Sequence, residues 1–160
     1  MRHIAAAMLL ALLPALSTGQ AKRDENEIIL VPNADREMQR AIDEARKTLD
    51  EFLALSANPP ADVSGMKLKV MITDRNGTEH FWVTPFRQNG ADFRGTLANE
   101  PKIVRSVRAG QQIDFKRSEI TDWGYVRNGR QVGSYTVCVL LKRAPKDQAE
   151  YYRREHGFQC

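Results

Sequence analysis

Cysteine and histidine are scarce in this chain, which has two Cys and three His in 160 residues. His80, His156, Cys138 and Cys160 show no metal-ligand spacing, so no metal site is expected. No Ser, Thr or Cys sits in a nucleophile motif, and there is no G-x-S-x-G. No cofactor motif is present either, and none is expected to bind. Charge of one sign is lacking too. Lys and Arg, 24 together, are interleaved with 20 Asp and Glu, which reads as a solvated surface. A nucleic-acid partner would need the basic residues gathered on one face, so that partner is excluded. There are no internal repeats and no low-complexity tract.

Long apolar runs are also missing. Ile4 to Leu16 spans thirteen residues, and a membrane-crossing helix needs ~20. What this run does fit is a cleavable secretory leader. Arg2 and His3 supply the positive start, and Gly19 and Ala21 stand at −3 and −1 of a cut after Ala21. Residues 1–21 are therefore read as a signal peptide, with no membrane span left after cleavage. The expected location is periplasmic or secreted. No Cys follows the cut, so amino-terminal lipidation is not available. In an oxidising compartment the even cysteine count favours a Cys138–Cys160 disulfide.

Residues 22–32 read as an extended or disordered lead-in, with Ile28–Val31 a short strand at most. Residues 33–160 read as one α+β domain. Asn33 or Asp35 can cap a helix over about 35–55. In it Met38, Ala41, Ile42, Ala45, Leu49, Phe52 and Leu53 recur at spacings of three and four, an amphipathic stripe suited to covering a sheet. Asn58-Pro59-Pro60 ends it. The rest reads as five or six mostly antiparallel strands and a short terminal helix from Pro145 to Gly157.

Three Asn-Gly pairs, at 76–77, 89–90 and 128–129, signal hairpins. A two-residue turn at the first pairs Arg75 with Thr78, Ile72 with Phe81 and Val70 with Val83. Leu68, Val70, Ile72, Phe81 and Val83 then share one face, with His80 and Trp82 on the other. The second pair sets Phe86 opposite Phe93, Thr84 opposite Gly95 and Trp82 opposite Leu97. On that register Gly95 leaves room beside Trp82. The third leads to a return strand from Gln131 to Lys142, the most apolar of all.

The residues Glu79-His80-Phe81-Trp82-Val83, Gly95, Leu97 and Asn99-Glu100-Pro101 match a family pattern. So do Gly110, Ile120, Asp122-Trp123, Tyr125, Gly129, Gly133 and Tyr135-Thr136. The chain resembles the YegJ-like family of uncharacterised bacterial proteins over about residues 66–142. Gly124 and Cys138 depart from that pattern. The resemblance implies an exported α+β protein and carries no activity with it.

Candidate chemistry centres on His80, whose ordinary pKa suits acid–base work. Glu79 is its neighbour but points to the opposite face of a strand, so Glu100 or Asp122 would have to serve as partner. The bland reading of Asp122-Trp123 is a carboxylate satisfying backbone N–H groups beside a packed ring. Asn99-Glu100-Pro101 reads blandly as a turn. Trp82, Trp123, Tyr125 and Tyr135, with Asn99, are candidate binding residues for a sugar ring or peptide, or else core. Three functions follow. The leading one is a non-catalytic periplasmic binding module for an envelope protein or cell-wall fragment. The second is an envelope hydrolase using His80. The third is a structural component docking through the helix at 35–55.

Overall fold

The computed structural model describes residues 35–160. The leader expected at 1–21, the lead-in or short strand expected at 22–32, and Asn33 lie outside the described residues. The chain enters on helix α1 (Arg36–Lys47), capped by Asp35. The Asp35 carboxylate accepts from the backbone N–H of Glu37 at 3.0 Å and of Met38 at 2.9 Å, satisfying donors the helix leaves unpaired. Arg46 and Lys47 close the last turn, where the helix dipole favours cations.

The single long helix expected over 35–55 is two. After Thr48 the chain starts again as α2 (Leu49–Ala57). The Thr48 hydroxyl donates to the Glu44 carbonyl at 2.9 Å, and such back-bonding competes with the helical ladder and bends it. The apolar stripe nonetheless runs on across the break. Ala45, Leu49 and Phe52 are all buried in the core.

Six strands follow, paired antiparallel throughout: β1 (Val63–Asp74), β2 (Gly77–Asn89), β3 (Asp92–Leu97), β4 (Gln112–Lys116), β5 (Ile120–Arg127) and β6 (Arg130–Gly133). Their order across the sheet is β4-β3-β2-β1-β5-β6. Residues 102–109 form a link with no regular element. The third Asn-Gly pair makes the expected turn. Asn128 and Gly129 have φ of 50° and 75°, the two positive values a type I′ turn needs, and Arg127 faces Arg130.

The other two turns are displaced. Asp74 faces Gly77, so Arg75-Asn76 form the first turn and Val70 faces Phe81. The cause is Asp74, whose carboxylate accepts from the backbone N–H of Asn76 at 2.7 Å and of Arg105 at 2.6 Å. A slip of two residues keeps every side chain on its face. The predicted apolar set therefore holds, but Lys69, not Met71, faces Trp82.

The second hairpin differs more. Val83 faces Leu97 and Phe86 faces Gly95, so β2 carries one extra residue between them. This bulge puts Val83 and Phe86 on the same face. Gly95 therefore lies against Val83 and Phe86, where a Cβ would collide with both, and not beside Trp82.

The return strand expected over Gln131–Lys142 is also corrected. β6 stops at Gly133, and helix α3 (Tyr135–Arg143) takes the apolar run. Gly133, the last residue of β6, and Ser134 have φ of 73° and 54°, two successive left-handed residues through which the strand does not continue. An unbroken apolar run does not by itself separate strand from helix. Helix α4 (Lys146–His156) begins after Pro145 and ends at Gly157, as expected. Cys138 on α3 and Cys160 form the disulfide.

One face of the sheet meets α1 and α2. The Phe52 and Trp123 rings stack with centroids 4.9 Å apart, and Trp123 Nε1 donates to the Ala45 carbonyl at 2.9 Å. Leu68, Val70, Phe81, Val83 and Leu97 complete this core, each contributing ~1.5–3 kcal/mol by burial. No helix among the described residues is long and apolar enough to cross a membrane.

Candidate functional site

The other face of the sheet carries the chemistry. Alternation along β1 sends Lys67 and Lys69 to this face while Leu68 and Val70 enter the core. Alternation along β2 adds His80 and Trp82. β5 has a register shift opposite Lys69 and Val70, and this bulge lets two consecutive residues, Thr121 and Asp122, serve the same cluster. The first turn of α3 closes over them.

Trp82 is half-buried and faces Lys69 directly. The ammonium of Lys67 lies 4.7 Å from its ring centroid and that of Lys69 4.6 Å, both within cation–π range. Lys69 Nζ also donates to Thr136 Oγ1 at 2.7 Å. The Thr136 hydroxyl in turn donates to Asp122 Oδ2 at 2.5 Å. Asp122 further accepts from the backbone N–H groups of Trp123, Tyr135 and Thr136 at 2.8, 3.2 and 2.8 Å. It is a cap for α3 supplied from β5. Burial destabilises both charges. It draws Lys69 down to about 8, partly offset by Asp122 and reinforced by Lys67. It also lowers Lys67 and raises Asp122.

His80 is exposed as a residue, but its ring is part-buried where Nδ1 lies 2.9 Å from Thr121 Oγ1. Thr121 Oγ1 also lies 3.3 Å from the Lys69 carbonyl, and a Thr121 proton directed there makes His80 Nδ1 the donor and leaves Nε2 as acceptor. Loss of water around the ring, then the charges of Lys69 and Arg46, pull His80 down to about 4. A neutral imidazole of that basicity is a weak general base at pH 7.

The structure separates the residues that the sequence grouped. His80 bonds Thr121 and neither proposed carboxylate partner. Glu100 is exposed after β3, and the loop beyond it is tied to Glu79 on the opposite face. There the buried Glu79 carboxylate accepts from the backbone N–H groups of Lys102, Ile103 and Val104 at 3.0, 2.8 and 3.2 Å. Asn99 accepts from the Trp82 backbone N–H at 2.9 Å and thereby braces β2. Trp123 and Tyr125, candidate binding residues, are buried in the core instead, because β5 turns them toward Phe52. Tyr135 is half-buried and meets Trp123 edge-on. Leu49 is buried and Ile42 half-buried, so the helix stripe is spent on the core and offers little for docking. Of the four aromatic candidates, Trp82 alone belongs to the outer cluster. Lys67, Lys69, Ser134 and Thr136 were missed. The expected register had set Met71 opposite Trp82, which hid the lysine pair, and the strand assigned to 131–142 hid the helix start.

The architecture defines an α+β domain: a six-stranded antiparallel sheet with α1 and α2 on one face and a lysine–tryptophan cluster on the other. The chain belongs to the family described as "Uncharacterized protein conserved in bacteria (DUF2314)", whose model matches residues 35–160. It is 38% identical over 116 residues to "Uncharacterized protein YegJ" of Escherichia coli (strain K12), covering 72% of this chain and 74% of that protein. It is 27% identical over 143 residues to a putative ankyrin repeat protein of Neisseria meningitidis serogroup B, covering 82% of this chain. The match spans 54% of that second protein's length. No solved structure matches the chain.

Proposed function

We propose that this is an exported, non-catalytic binding domain that takes an envelope protein or a cell-wall fragment on the outer face of its sheet. The observation that carries this reading is Trp82, a half-buried ring on a face where neighbouring His80 and Thr84 are exposed, with two ammonium groups beside it. An aromatic ring beside convergent polar groups is the usual composition of a recognition site. The leader at 1–21 supports export, with residues 22–160 as the mature chain.

The test is capture from the organism's own envelope extract, with residues 22–160 as bait and folded Trp82→Ala beside it. A partner present with the parent and lost with the variant is the expected result. Full capture by folded Trp82→Ala would move the site elsewhere. Export is checked by the intact mass of the periplasmic form, which should begin at Lys22.

A further inference from the structure

We infer that Lys67, Lys69 and the Ser134 hydroxyl form a receptor for a carboxylate group, so that the ligand of the outer face is a carboxylate-bearing molecule. The inference rests on the binding reading above and names the chemistry of that same site.

Charge is the first argument. The cluster holds two ammonium groups, of Lys67 and Lys69, against one carboxylate, that of Asp122. Asp122 is already occupied by three backbone N–H groups and the Thr136 hydroxyl, so it neutralises the lysines only through space. A single added negative charge balances the cluster. A dianion would overshoot it and stand near the buried Asp122, which disfavours phosphate.

Unused hydrogen-bonding capacity is the second. Lys69 donates to Thr136, whereas the half-buried Lys67 has the Trp82 ring and no hydrogen-bond acceptor among the described residues. An ammonium carries three donors. Beside it lies a second orphan. Ser134 is fully buried, and its Oγ has no hydrogen-bond partner among the described residues. A Cβ at Gly124 would stand 2.5 Å from that Oγ and 3.2 Å from Lys67 Cε, which sets the hydroxyl alongside the lysine stem. Buried polar atoms are nearly always paired, so this one points to a ligand group. The stem of Lys67 is flexible and only half-buried. In the receptor the Lys67 ammonium turns from the Trp82 ring toward the carboxylate, and the Ser134 hydroxyl donates to the same oxygen pair.

Ser134 also gives a clean variant. Its φ of 54° lies in the left-handed region, which glycine occupies without strain. Ser134→Gly removes the orphan hydroxyl and should melt no lower than the parent. The experiment titrates the exported protein, residues 22–160, with N-acetylmuramic acid, with an acetylated and amidated tripeptide bearing a single glutamate, and with inorganic phosphate, reading tryptophan fluorescence and heat. Saturable binding of either carboxylate probe is expected, and which of the two binds separates a cell-wall source from an acidic peptide. Affinity should fall about tenfold in Lys67→Gln and severalfold in Ser134→Gly, the loss of hydrogen bonds to a charged group. Failure of both carboxylate probes, tighter binding of phosphate, or unchanged affinity in folded Lys67→Gln would overturn the inference. If Trp82→Ala loses a captured partner that neither carboxylate displaces, the binding face stands and the carboxylate assignment falls. If carboxylates bind through Lys67 while Trp82→Ala keeps full capture, the receptor stands and the capture reading falls.

Discussion

Replacing Glu79 with Gln should unfasten the segment between β3 and β4 and weaken the whole domain. The Glu79 carboxylate is 3% exposed and holds the backbone N–H groups of Lys102, Ile103 and Val104, with Lys102 shared between its two oxygens. Hydrogen bonds to a charged acceptor contribute ~1.5–3 kcal/mol each in favourable cases. Gln keeps one carbonyl oxygen, which can serve Ile103 and Val104 at neutral strength. Its NH₂ then meets the Lys102 N–H, donor against donor. Lower strength in two bonds and loss of part of a third put the change at about 2–3 kcal/mol, after the relief of burying a neutral group in place of a charge. For a domain of this size that lowers the melting midpoint by roughly 10 °C. Hydrogen exchange localises the effect: the amides of Ile103 and Val104 should lose protection before those of Val70 and Phe81 in the central strands. A Glu79→Gln stability within about 0.5 kcal/mol of the parent, or unchanged exchange at Ile103 and Val104, would refute the reasoning.

Other expectations follow from single contacts. Folded-state His80 is drawn down to about 4 from an ordinary 6.5, so the unfolded chain binds more protons across that window. Its contribution is complete above pH ~6.5 and is lost as pH falls toward 4. His80→Gln should flatten the stability profile there, and a His80 imidazole titrating near 6.5 by NMR would contradict this. Asp74, held near 2 mainly by the Arg105 N–H, loses its share only below the ordinary carboxylate value, which separates the two effects on the pH axis. The double variant Cys138→Ser/Cys160→Ser should lose about 3 kcal/mol for a bridge spanning 22 positions. A denaturation midpoint insensitive to reductant would argue against it. Gly133→Ala should destabilise by about 3 kcal/mol, since φ is 73° and the new Cβ would press on the Trp123 ring and carbonyl. A fully folded, equally stable Gly133→Ala would show that this turn is not the constraint described.

The sheet was largely legible because alternation survives a slip of two. Leu68, Val70, Ile72, Phe81 and Val83 keep a common face whether the turn sits at Asn76-Gly77 or at Arg75-Asn76. The exact cross-strand partner does not survive, and the outer cluster depended on it. Asp74 chose the register through a local contact to Asn76 and a long-range one to Arg105 and Ser106, and the second is one no local pattern discloses. The bulge in β2 and the break at Thr48 are equally invisible to periodicity. α3 was misread because its start is specified from elsewhere. The cap is Asp122 on β5, and Ser134 itself makes no side-chain cap. The bland reading of Asp122-Trp123, carboxylate to backbone and ring to core, is what the structure holds. The active-site reading of those residues rested on side-chain identity, whereas burial decided their roles.

That borrowed cap makes the outer face and the helical layer one thermodynamic unit. Thr136 has a single hydroxyl proton, given to Asp122, and one of its two acceptor lone pairs takes the Lys69 ammonium. Anything that draws the Lys69 ammonium away alters the charge felt by the carboxylate on which α3 begins. α3 reaches back to α1 through Arg143, which pairs with Asp35 and Glu37. By linkage the dependence runs both ways: loosening the α1–α3 layer changes how firmly Lys69 is held. Occupancy of the sheet's outer face should therefore be readable along the length of α3, as a change in its amide exchange.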